Sequence, residues 1–101
     1  MIAALEAVAH PSRRRILDLL LDQPRPVGEL VAALGLSQPG VSKHLRVLRQ
    51  AGLVEARTRG QHRVYELRAE PLAEIDEWLA PYRRTWSVRL NALQRHLERR
   101  D

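Results

Sequence analysis

Apolar positions recur along this chain mostly at intervals of three or four residues, with one central interruption that reads as a pair of strands. Ile2, Leu5 and Val8 predict a short first helix, broken at His10-Pro11-Ser12, whose apolar stripe needs a partner surface. Ser12 is expected to cap a second helix with Ile16, Leu17, Leu19, Leu20 and Leu21 as core positions, stopped by Gln23-Pro24. Pro26 opens a third helix on Val27, Leu30, Val31 and Leu34, and Gly35 can take the left-handed conformation that ends it.

After the turn Gly35-Leu36-Ser37, Ser37 is placed to cap a fourth helix, and Pro39 is tolerated in its first turn, where an amide would have no intrahelical partner. Val41, Leu45 and Leu48 fall on one face and must pack inward. Pro39, Lys43, Arg46 and Gln50 then lie opposite, with Gln38, Ser42 and Arg49 beside them, and this outward face holds no acid. Gly52 ends the helix. Leu53 to Arg59 and His62 to Leu67 read as a hairpin around Arg59-Gly60-Gln61, with Arg57, Arg59, His62 and Arg63 crowding its tip.

Pro71 opens a long helix in which Leu72, Ile75, Leu79, Tyr82, Trp86, Leu90, Leu93 and Leu97 form a stripe suited to another helix, with a kink expected at Pro81. The reading is one domain over residues 1–101, mainly α with a small β-hairpin. No repeat, linker or low-complexity segment interrupts it. The apolar start, Met1 to Ala9, lacks a basic leader and is too short to span a bilayer, so a soluble, cytoplasmic protein is expected.

Charge sharpens the picture. The formal net charge is +5, from 17 Lys and Arg against 12 acids. Between Val31 and Glu70 the bases are Lys43, Arg46, Arg49, Arg57, Arg59, Arg63 and Arg68, against Glu55, Glu66 and Glu70, so most of the surplus sits mid-chain. Such a surplus points to nucleic acid or an anionic surface. Arg13, Arg14 and Arg15 are read instead as a solvated helix start making local ion pairs. The chain has no cysteine, which removes disulfides, thiol nucleophiles and thiolate metal ligands.

Two helices joined by a glycine-containing turn, the second with a neutral-to-basic outer face, match a helix-turn-helix, and the basic hairpin that follows makes it a winged one. Gln38 and Lys43, near the start of the second helix, suit adenine and guanine edges; Ser42 suits a base or a phosphate; Arg46 and Arg49 suit phosphates. His44 is read two ways, as a phosphate contact or as a packed histidine flanking the core. Arg57, Arg59, Gln61, His62 and Arg63 would carry the wing's contacts to DNA.

The run from Leu36 to Leu48, followed by Ala51-Gly52-Leu53-Val54, resembles the ArsR/SmtB family of bacterial repressors. His10 to Leu17 resembles the family's second-helix signature, with His10 where an acid or amide is usual, and Arg59 to Tyr65 resembles its wing. The resemblance implies a homodimer joined by its first and last helices, binding a palindromic operator and repressing operons that often include the regulator's own gene. The stripes Ile2, Leu5, Val8 and Leu79, Tyr82, Trp86, Leu90, Leu93, Leu97 agree with that interface.

The family's metal-sensing patterns are not reproduced. Glu29 to Leu34 carries no cysteine motif, and Asp76, Trp78, Arg89 and Ala92 do not supply the last helix's acid and histidine ligands. His10, His44, His62 and His96 lie on separate elements without ligand spacing, so no metal or other cofactor is expected, and the effector stays unassigned. Trp78, Tyr82 and Trp86 are read as packing at the dimer seam, with a small-molecule pocket as the lesser alternative. An enzyme would need converging catalytic groups, and Ser12, Ser37, Ser42 and Ser87 all have structural uses. The remaining rival is a winged helix that docks on protein or RNA; the acid-free face argues against it.

Overall fold

Three short helices stack first. In the computed structural model, which describes residues 1–99, they are α1 (Ile2–Val8), α2 (Pro11–Leu20) and α3 (Val27–Leu34). A fourth, α4 (Gln38–Gln50), leads into an antiparallel hairpin of β2 (Val54–Arg59) and β3 (His62–Leu67), and α5 (Glu70–Arg99) closes the described chain. A two-residue strand, β1 (Arg25–Pro26), has no counterpart in the sequence pattern. It pairs with the far edge of β3, Arg25 opposite Tyr65 and Pro26 opposite Val64, giving a three-stranded sheet in the order β1-β3-β2.

The start of α2 corrects the expected cap. His10, not Ser12, is the N-cap: its Nδ1 accepts the backbone N–H of Ser12 at 3.1 Å, and Pro11 occupies the first turn. A ring nitrogen thus takes the place of the expected serine oxygen. The helix also stops earlier than Gln23-Pro24, at Leu20, and Leu21 is 74% exposed instead of joining the core. Leu19 is partly buried against the core, and Ile16, Leu17 and Leu20 are within it. Ala4 and Ala7 turn α1 inward, and Val8 packs partly on the same core, which leaves Ile2 71% exposed and Leu5 half-buried.

Arg13, Arg14 and Arg15 also differ from expectation, since their partners are carbonyls. Arg13 donates to Ala7 O at 2.5 Å and Glu6 O at 3.1 Å, Arg14 to Val8 O at 2.7 Å, and Arg15 to Ala33 O at 3.0 Å. These carbonyls lie in the last turns of α1 and α3, where intrahelical donors run out and the helix dipole favours a cation. The arginine run therefore pins α1 and α3 onto α2.

Helix α5 begins on the body, where Leu72 and Ile75 pack against the core and Glu74 meets the N-terminal ammonium at 3.3 Å. Pro81 lies inside it without ending it. From Pro81 to Arg99 every residue is exposed. The Cα trace accordingly spans 61 × 28 × 21 Å, long for its size because this half of α5 stands away from the other elements.

Candidate nucleic-acid interface

Helix α4 is held by its apolar face. Val41, Leu45 and Leu48 are fully buried, as their spacing predicts. Its start is fixed by Ser37, whose Oγ accepts the Gly40 N–H at 3.1 Å, and by Gly35, whose φ of 68° ends α3 in the left-handed region. With one face anchored, the other is set: Gln38, Pro39, Lys43, Arg46, Arg49 and Gln50 are exposed and Ser42 is half-buried. No carboxylate occurs between Gln38 and Gln50.

The hairpin is tied to the end of α4. Leu53 N–H donates to Leu48 O at 2.9 Å and Arg68 N–H to Leu53 O at 2.7 Å, so the helix terminus and both strands share one hydrogen-bonded corner. At the far end Arg59 pairs with His62 across a two-residue loop, with Gly60 at φ 60°. A positive φ at the first loop position is what a tight hairpin matching strand twist demands, and glycine meets it without strain. Arg59, Gln61, His62 and Arg63 are exposed around this tip, and the Arg63 guanidinium lies 5.7 Å from the Tyr65 ring centroid.

Two residues of the expected set are engaged inside the protein. Arg57 Nε lies 2.9 Å from Glu66 Oε1, and Glu66 also lies 3.6 Å from Arg68, which is bonded to Glu55. The Glu55 carboxylate, through its hydrogen bond first and its charge second, pushes the Arg68 pKa up. Strand bases thus neutralise strand acids, and the unpaired cations gather at the tip. His44 is the second case: half-buried, with its ring centroid 4.6 Å from that of His10. Burial, followed by the neighbouring His10, Arg13 and Lys43, holds its pKa below the ordinary histidine value. The packed reading of His44 is the one this geometry favours.

Among the described residues no three His, Cys, Asp or Glu side chains stand close enough to share a metal ion, and no helix is long and apolar enough to cross a membrane. An open groove of about 300 Å³ runs between α1 and the end of α4, rimmed by Glu6, Arg13 and Gln50. It does not enclose a ligand as a typical small-molecule site does. Trp78 and Tyr82 meet at a tilt of 55°, centroids 5.3 Å apart, and both remain about half exposed. Sequence reasoning missed the Glu66 tether on Arg57 and the His10 contact of His44, because both depend on elements meeting in space. The cross-strand register was the one available signal, since Arg57 and Glu66 lie near each other on facing strands.

Comparison with known proteins bears on the same residues. Residues 10–56 match the family described as bacterial regulatory protein, arsR family. The chain is 44% identical over 71 residues to an uncharacterised HTH-type transcriptional regulator of Mycobacterium tuberculosis, covering 69% of this chain and 62% of that protein. It therefore spans less than two thirds of that relative's length. The transcriptional repressor SdpR of Bacillus subtilis is 32% identical, with 73% of this chain and 82% of SdpR covered. Among solved structures, a homodimeric winged helix-turn-helix DNA-binding domain from Mycobacterium bovis, described as a possible ArsR-family regulator, superposes with a TM-score of 0.67 at 31% identity, covering 80% of this chain and 75% of that one. With the capped α4, its acid-free face and the basic hairpin placed as a winged helix-turn-helix requires, the chain belongs to the arsR family of bacterial transcription regulators.

Proposed function

We propose that this protein binds duplex DNA sequence-specifically as a homodimer and represses transcription, its own operon included, from an inverted-repeat operator. One observation carries the reading: the exposed face of α4 offers Gln38, Lys43, Arg46 and Arg49 with no acid, and the hairpin bonded to its end offers Arg59, His62 and Arg63. Both match a phosphate-lined groove, whereas a protein-docking surface has no need of cations on both elements. Gln38 and Lys43 read base edges, Ser42 contacts a base or phosphate, and Pro39 stiffens the approach. Arg46 and Arg49 hold phosphates, and Arg59, Gln61, His62 and Arg63 contact the flanking backbone or minor groove.

The dimer is supported by the exposed stripe Tyr82, Trp86, Leu90, Leu93 and Leu97, and by Ile2 beside the start of α5. Charge along α5 is segregated: Glu70, Glu74, Asp76 and Glu77 precede Pro81, while Arg83, Arg84, Arg89, Arg95 and Arg99 follow it with one acid, Glu98. Two such helices attract when antiparallel and repel when parallel.

The test is titration of the protein's own promoter region against a scrambled duplex and a matched RNA, at several salt concentrations. Preferential binding to one palindromic promoter segment, with two recognition helices spaced about 10 bp or a multiple apart, is the expected result. Equal affinity for promoter and scrambled DNA, or tighter binding to RNA, would remove the reading.

A further inference from the structure

Two imidazoles meet where α2 starts against the recognition helix. The His10 and His44 rings stand 4.6 Å apart at 53°, one on the N-cap of α2 and the other midway along α4. Both are partly buried. The His10 Nδ1 accepts the Ser12 N–H at 3.1 Å while its carbonyl accepts the Arg14 N–H at 3.1 Å, so the proton of the neutral ring sits on Nε2.

A proton placed on that Nδ1 turns the acceptor into a donor facing another donor, and the cap is lost. It also sets a positive ring against His44. No carboxylate is among the groups acting on His44: they are His10, Arg13 from α2, and Lys43 from its own helix. The one charged side chain of α1 is Glu6, whose backbone carbonyl, with that of Ala7, holds Arg13. Protonating both rings therefore gathers like charges at the contact between α2 and α4. Serine or asparagine at the N-cap would hold the same N–H and take up no proton.

We propose that the His10–His44 pair is a proton-operated latch between the start of α2 and the recognition helix, closed while both rings are neutral and released when they take up protons. Release loosens the support behind Lys43 and Arg46, so operator affinity falls as the solution is acidified. The latch stands on its own geometry; its readout on DNA rests on the function proposed above. The lowered pKa of His44, from burial first and its cationic neighbours next, keeps its ring neutral at pH 7.5 and accords with the closed state.

Two measurements on the full chain test it. In NMR titration of the imidazole protons without DNA, the two rings should titrate as a coupled pair, and His10→Asn, which keeps a capping side chain, should raise the His44 midpoint. In DNA titrations, lowering the pH from 7.5 to 5.5 should weaken promoter binding by about threefold or more relative to His10→Asn, since removing a cap is worth about that factor. His62 is present in both proteins, so the comparison between them removes any contribution from the wing histidine. His44→Gln, which removes the repulsion between the rings but keeps the His10 cap, should show a pH profile between those of wild type and His10→Asn. Independent titration of the two rings, or parallel pH profiles for wild type and both variants, would overturn the latch. If the wild type fails to bind its promoter at pH 7.5, the DNA reading falls, and the NMR titration still decides the latch.

Discussion

The guanidinium of Arg57 is held by Glu66 across the hairpin, Nε to Oε1 at 2.9 Å, so this wing arginine is neutralised within the sheet. Arg59, two residues on at the tip, has no acid opposite it: its register partner is His62. The two should behave differently on DNA. Arg59→Ala is expected to weaken operator and scrambled duplex alike and to lower the salt-dependence slope by about one, because one phosphate is no longer neutralised. Arg57→Ala should leave that slope unchanged. Titrations across a salt series distinguish them, and equal slope changes would mean that Arg57 leaves Glu66 to meet the DNA.

Arg13 gives a second prediction, on stability instead of binding. Its bond to Ala7 O satisfies a carbonyl at the end of α1, and its bond to Glu6 O adds to the Ala9 N–H that this carbonyl already accepts; a helix end stripped of such a partner is destabilised by about 1 kcal/mol per bond, less where water or a backbone donor can substitute. Arg13→Met, which keeps the apolar stem, should lower the urea midpoint while promoter affinity at pH 7.5 changes little. A large loss of affinity with unchanged stability would make Arg13 a phosphate contact.

The contrast between these two arginines and helix α4 shows what was legible in the residues alone. Val41, Leu45 and Leu48, with Ser37 before them and Gly52 after, state a local periodicity and local caps, and the helix forms where they place it. Gly60 likewise places the hairpin turn. The partners of Arg13 and Arg15 were not legible, because each lies on a different element and carbonyls replace the expected ion pairs, while Glu66 as the partner of Arg57 was signalled only by the hairpin's register. Strand β1 escapes for a related reason: Arg25–Pro26 is too short to have a pattern and exists because β3 lies beside it. His10 falls within an apparent helix break, and a ring nitrogen acting as a cap is a rarer solution than the serine two residues later.

A third prediction separates base reading from backbone contact. Lys43→Ala, or Gln38→Ala, should cost about 1–3 kcal/mol per half-site on the preferred operator and relax discrimination at the base each one reads. Binding to scrambled DNA should suffer less. Comparing single-base operator variants against each mutant measures this, and a uniform loss over all sequences from Lys43→Ala would move Lys43 to the phosphate set.

The lowered pKa of His44 also makes a statement about stability. A histidine whose pKa is depressed in the fold, from the ordinary 6.5, binds fewer protons folded than unfolded in the interval between the two values. The stability it contributes is therefore complete above about pH 6.5 and is lost as the pH falls through 6.5 toward the folded value. Urea unfolding at fixed protein concentration should show wild type losing stability between pH 7.5 and 5.5 by more than His44→Gln does. Matching losses would show that His44 titrates as it does in the unfolded chain.

The stripe on α5 leads to the last prediction. Leu90, Leu93 and Leu97 are 65%, 54% and 52% exposed in the isolated chain, and Trp86 is exposed with them, on the part of α5 after Pro81 where every described residue is exposed; Ile2 on α1 is exposed as well. A contiguous apolar surface of this kind marks an interface, and the core of the body, Ile16, Leu30, Leu45 and Leu48, is complete without it. Leu90→Glu with Leu93→Glu should therefore yield a monomer that keeps the winged helix, because neither position supports that core. Sedimentation at micromolar concentration should show the wild type as a dimer and the double variant at half the mass, with helix content largely kept. On DNA the variant should bind a single half-site about as well as one wild-type subunit does and lose the extra affinity for the inverted repeat, since the second site is no longer tethered to the first. Charge gives an independent check: replacing Glu74 and Glu77 by Lys, or Arg89 and Arg95 by Glu, should weaken each homodimer, and mixing the two variants should restore pairing. A native wild-type monomer at micromolar concentration would remove the dimer, and full-strength homodimers of both charge variants would remove the antiparallel arrangement while leaving the apolar seam.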